Sequence, residues 1–123
     1  MPNSRDAIIT GIGLISCLGE GVDAHWDALT RPGGFTPVVD ATSFPGFPVH
    51  PMTALELDRQ IPKRGDQRQM EPWQKYGTYA AGLALESAGL KGNAELLGRM
   101  EMIVAAGGGE RDYDADAAIL SGL

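Results

Sequence analysis

RGDQRQMEPWQKYGTYAAGLALESAGL, residues 64–90, is the stretch on which the reading of this chain turns. Pro72 suits the first turn of a helix, where its missing N–H is not needed and its fixed φ is already helical. Glu71, just before it, suits the capping position beside the positive helix end. Trp73, Tyr76, Ala80, Leu83, Ala84 and Ser87 then recur every three or four residues, which predicts one buried helix face. Gly77, Ala80, Ala81, Gly82 and Ala84 crowd the same turns, so another backbone can come close. Gly89 ends the helix and Leu90 is placed to fold back on it. Such a helix is suited to burial inside a larger body.

Towards the N-terminus, Ala7 to Thr10 is a short apolar run closed by Gly11 and Gly13, which predicts a buried strand with a sharp turn at its end. A dinucleotide-binding turn would need a third glycine where Ser16 stands, so the glycines are read as packing devices. Val22 to Leu29 predicts a short helix with Val22, Trp26 and Leu29 on one face and His25 on the other. The only other histidine, His50, lies in a proline-rich loop, and no His/Cys/Asp constellation is visible. Cys17, in a glycine-flanked loop with no base nearby, reads as a buried or half-buried thiol rather than a nucleophile.

Six prolines between Arg31 and Pro62 break any long helix there and leave short extended segments. Thr53 and Glu56 have capping-box spacing for a helical turn over Thr53 to Leu57. Phe35, Phe44 and Phe47 are expected to tuck this excursion against the body. Arg59, Lys63, Arg64 and Arg68 follow, a local positive patch on an acidic chain. By residue chemistry alone that patch reads more readily as a solvated face than as a binding site. Met102 to Ala106 predicts a second strand entering Gly107 to Gly109, and strand–helix–strand order argues for a βαβ unit. Glu110, Asp112 and Asp114 would repel a phosphate at that turn. From Asp114 to Leu123 a helical pattern starts and stops without a cap, as in a chain cut within a helix.

The 123 residues carry a net charge of −6, which argues against a general nucleic-acid binder. One cysteine excludes an intrachain disulfide framework, no signal-peptide pattern is evident in residues 1–10, and no apolar run approaches membrane-spanning length. The expectation is one cytoplasmic domain at most, without metal or cofactor.

Three ordered blocks then carry a resemblance. Gln67-Arg68-x-Met70-Glu71, Gln74-x-Tyr76-Gly77 and Ala88-Gly89-Leu90 resemble the first long helix of the elongating type II β-ketoacyl-(acyl-carrier-protein) synthases. Ile8 to Gly19 with His25 to Leu29, and Ile103 to Gly109, match in the same order. The resemblance implies an α/β fold: the incomplete N-terminal half of a thiolase-like fold in the order β-α-(Pro-rich excursion)-α-β-α, truncated within its last helix. It implies a 3-oxoacyl-carrier-protein synthase of fatty acid biosynthesis, a homodimer that condenses an acyl thioester with malonyl-carrier protein. The chemistry needs a polarised thiolate and hydrogen-bond donors for an enolate. The cysteine and two histidines that supply them in the family lie beyond position 123, so this piece alone is expected to be inactive. The resemblance also assigns Arg64 and Arg68 to docking of acyl carrier protein, with Gly65 and Gln69 where relatives often carry lysine. It assigns Gly108 to the far end of the acyl pocket, where relatives often carry a bulky aliphatic. The alternatives are a non-catalytic chain-length partner subunit, a polyketide ketosynthase, and an independent small binding domain.

Overall fold

The computed structural model describes residues 3, 5–107 and 112–122. Its organising element is α3, Pro72–Ser87. The N-terminal end is closed as the residue types require: Gln74 Oε1 accepts from the Glu71 N–H at 2.7 Å. At the other end Gly89 takes φ +68°. The Leu90 N–H then reaches the Leu85 carbonyl at 2.9 Å and the Gly89 N–H reaches that of Glu86 at 3.0 Å. This 6→1 and 5→2 pair is the Schellman geometry that a left-handed glycine permits.

Residues 11–13 lie directly on α3. A Cβ on Gly13 would overlap the Ala80 carbonyl and sit 2.5 Å from the Ala84 nitrogen. One on Gly11 would overlap the Ala84 carbonyl and sit 2.6 Å from the Ala88 nitrogen. Glycine facing alanine is therefore a steric requirement, and Ser87 Oγ accepts from the Ile12 N–H at 3.4 Å beside it. The chain then makes a short antiparallel hairpin, β1 (Ile15–Ser16) and β2 (Gly19–Glu20), which runs straight into α1 (Gly21–Thr30). The core of the described residues is Ala28, Ile61, Tyr79 and Leu83, with buried His25 beside it.

The excursion from Arg31 crosses itself once, where Asp40 and Val49 form an isolated antiparallel bridge. It re-enters through a 3₁₀ turn, Leu57–Arg59, and then α2, Arg64–Gln69. Beyond α3 come α4 (Ala94–Leu97), capped by the Asn93 side chain at 3.1 Å from the Leu96 nitrogen, and α5 (Tyr113–Ser121). Asp112 caps α5 through the Ala115 N–H at 2.9 Å, and Gly122 occupies its C-cap position.

Several expectations are corrected by this arrangement. Residues 7–10 and 102–106 are not strands here: Ile9 is 81% exposed and Ile103 93%. A strand exists only through its partner's hydrogen bonds, and among the described residues neither segment has one. The strand–helix–strand order is thus replaced by a hairpin followed by helices. In α1 the buried side chains are His25 and Ala28, whereas Val22, Trp26 and Leu29 are exposed. In α3 the buried pair is Tyr79 and Leu83, while Trp73 and Tyr76 are exposed. Phe44 and Phe47 are exposed too. The helical turn placed at Thr53 to Leu57 falls at Leu57–Arg59, with Glu56 at its N-cap. Periodicity identifies an apolar stripe, but what lies against it decides whether it is buried.

The glycine contact yields a paired expectation. Gly13→Ala forces a methyl into the α3 backbone and should destabilise the protein by at least the roughly 1–3 kcal/mol typical of overpacking. Gly77→Ala, in the same helix with nothing within 4 Å of the added carbon, should instead stabilise by about 0.5–1 kcal/mol. Urea unfolding midpoints measure both; equal shifts of one sign would refute the packing account.

Candidate functional site

The polar side chains of the body converge on the 3₁₀ turn. Arg59 pairs with Glu20, at the end of β2, and with Glu86, on α3, at 3.0 Å. Glu20 also accepts from the buried Tyr79 hydroxyl at 2.9 Å. Glu86 accepts from Gln60 Nε2 at 2.9 Å and from Lys91 Nζ at 2.6 Å, and Lys91 Nζ donates to Gln60 Oε1 at 2.7 Å. One connected bracket therefore joins the hairpin, the turn and the C-terminal end of α3. Sequence reasoning missed it, because its six members are spread over positions 20 to 91 with no common spacing. The one available signal was Tyr79, which lies beside the chosen stripe and four residues before its Leu83.

The basic helix α2 is tied to the same turn through Asp58 and Ile61: Gln67 Nε2 donates to Asp58 Oδ1 at 2.7 Å and to the Ile61 carbonyl at 2.6 Å. Ile61, 5% exposed, plugs the space beneath. Arg64 and Arg68 are four residues apart on α2, a helix not expected from the sequence, and both are exposed on one face of it. They line an open depression with Arg59, Gln67 and Lys75. Arg64 lies 3.5 Å from Asp58; no ion pair engages Arg68 among the described residues.

A second feature is an open groove of about 1160 Å³ along the other side of α3. Met70, Trp73, Gly77 and Ala81 form one wall and residues 102–107 the other, with Tyr113 at the edge. Gly108, expected at an acyl pocket, lies outside the described residues; the groove reaches Gly107, its neighbour. The exposed Trp73 is accounted for here, since it faces this groove.

His25 has a defined role in the hairpin. Its Nδ1 lies 2.7 Å from the Gly21 carbonyl, which can only accept, so Nδ1 carries the proton. Nε2 then accepts from Ser16 Oγ at 2.7 Å, and Ser16 Oγ accepts from the Leu18 N–H at 3.0 Å. The pair pins the hairpin turn to α1. Cys17 sits half-buried in that turn. No metal-binding group of His, Cys, Asp and Glu occurs among the described residues, and no helix there is long and apolar enough to cross a membrane.

Hydrogen bonds from Lys91 and then Gln60 hold the Glu86 carboxyl down to about 2 from its usual 4.5. A group depressed on folding stabilises the fold above its unfolded value and loses that contribution as pH falls through its folded value. Wild type and Glu86→Gln should therefore differ most in urea midpoint near neutrality, and converge as pH falls from 4.5 towards 2. A gap independent of pH over that range would mean that Glu86 acts by shape, not charge.

Two curated proteins are similar to this chain. The oxytetracycline polyketide β-ketoacyl synthase 1 of Streptomyces rimosus is 30% identical over 97% of the chain and 28% of its own length. The 3-oxoacyl-[acyl-carrier-protein] synthase 2 of Vibrio cholerae is 29% identical over 85% of the chain and 26% of its own length. The chain thus spans just over a quarter of these relatives. No family model matches it, and no solved structure matches it. Both relatives named by these matches are β-ketoacyl synthases, and over most of its length the chain resembles a fragment of a β-ketoacyl synthase.

Proposed function

We propose that this chain is the recognition part of a 3-oxoacyl-carrier-protein synthase, an acyltransferase joining an acyl thioester to the carbanion released from malonyl-carrier protein. The observation that carries this reading is the match to two β-ketoacyl synthases along 97% and 85% of the chain. The bond-making cysteine and histidines belong to the part of such a synthase outside these residues, and the 123 residues alone are inactive. Cys17 takes no part: it sits in a hairpin whose neighbouring Ser16 and His25 are bonded to each other. In the complete protein the segments 7–10 and 102–106 become strands of a thiolase-like sheet, and their exposed Ile8, Ile9, Ile103 and Val104 support that reading. The protein works as a dimer in fatty acid biosynthesis; the polyketide relative favours a polyketide ketosynthase as second reading. The direct experiment supplies the full-length protein with malonyl-carrier protein and acyl primers. Chain extension supports the proposal, and the absence of both extension and malonyl decarboxylation refutes it.

Arg64 and Arg68 dock the acyl carrier protein. Their support is an exposed, same-face pair of cations on a chain of net charge −6. Exchanging both for Glu should raise the KM for carrier-held substrates several-fold and reduce its salt dependence, sparing simple thioesters. Equal loss with both substrate kinds would indicate a folding defect.

Gly108 sits at the end of the acyl pocket, which the groove leading to Gly107 supports. Without a side chain there, the pocket accommodates several more methylenes, each worth about 0.8 kcal/mol when buried. Gly108→Ile should then shorten the longest accepted acyl chain while short-chain turnover persists. An unchanged chain-length profile would leave the glycine a backbone device.

A further inference from the structure

We infer that Asp58 is an intramolecular stand-in for the acidic partner, which must displace it from Arg64 in order to dock. The inference rests on the reading of α2 as a carrier-protein docking helix. Its physical basis is the division of labour between the two carboxylate oxygens. Oδ1 accepts from Gln67 at 2.7 Å and so helps hold α2 in place. Oδ2 faces Arg64 Nη2 at 3.5 Å, the cation nearest the N-terminal end of the helix. Asp58 is not a wandering surface acid. The adjacent Arg59 and Gln60 are tied to Glu20, Glu86 and Lys91, so the carboxylate is presented at a fixed place.

Both partners are exposed, Arg64 at 79% and Asp58 at 59% of their side chains. An ion pair in such a setting is weak and opens readily. It is therefore suited to exchange: an incoming carboxylate or phosphate replaces Asp58 Oδ2 on the guanidinium without leaving a buried charge unpaired. Arg68, with no partner among the described residues, needs no such exchange. Two cations four residues apart thus differ in function. Arg68 attracts an acidic partner from the start, whereas Arg64 engages only after release from Asp58. The exchange also raises selectivity, because a partner with too little charge does not displace the internal carboxylate.

Asp58→Asn separates the two roles of the residue. The amide keeps an oxygen for Gln67 but no longer attracts Arg64. In the full-length protein, binding of a fluorescently labelled bacterial acyl carrier protein should tighten by about two- to fivefold, the span of an exposed ion pair. The gain should vanish in an Arg64→Gln background. A gain that persists there would be a bulk-charge effect and overturns the inference, as does unchanged or weaker binding of Asp58→Asn. Arg64→Glu combined with Arg68→Glu tests the underlying reading separately. If that pair leaves carrier binding intact, docking at α2 itself falls. If it abolishes binding while Asp58→Asn changes nothing, only the exchange falls.

Discussion

The contact on which the rest of this structure depends is the backbone-to-backbone approach of residues 11–13 to α3. It leaves no room for a Cβ at Gly11 or Gly13, and on the helix it uses the alanines at positions 80, 84 and 88. Dispersion between closely packed backbones acts only at short range, so this register is steep: the chain fits at one height along the helix. From that height the hairpin is delivered with Glu20 at the Tyr79 hydroxyl and Tyr79 fully buried. Burial and the hydrogen bond to Glu20 both push the phenol's pKa up, so Tyr79 stays a donor to the carboxylate.

The bracket around Arg59 is the second tier. Each of its exposed pairs would contribute little in isolation. Together they tie positions 20, 59, 60, 86 and 91 at one locus, and the Glu20 end is anchored by a buried side chain. Its main consequence is geometric. The proline-rich excursion could return to the body at many angles, and the bracket selects one, so α2 leaves the 3₁₀ turn with its cations outward.

The basic depression and the groove lie on different sides of α3. The basic depression uses Lys75 and the residues preceding the helix, and the groove uses Met70, Trp73, Gly77 and Ala81. The helix α3 thus lies between a depression lined by Arg59, Arg64, Arg68 and Lys75 and a groove lined by Met70, Trp73, Ile103 and Val104. That division suits a protein that must grip a charged carrier while accommodating a hydrophobic chain, the two demands implied by the proposed function.

The sequence by itself determined the limits of α3, because capping, proline placement and a left-handed glycine are local requirements met within a few residues. It also marked the glycine turn as a packing device and the excursion as extended, whereas the helix that carries Arg64 and Arg68 emerged only in the structure. Tertiary structure alone decided which stripes are buried. Tyr79 is fully buried where Tyr76 is exposed, and Ala28 is buried where Trp26 is exposed, because burial belongs to the pair of surfaces in contact. It decided the bracket as well, whose members are up to 71 positions apart, Glu20 to Lys91. The two apolar runs at 7–10 and 102–106 mark the same boundary. Their β propensity is legible residue by residue, but a strand is completed only by a neighbour's hydrogen bonds, which no single segment encodes.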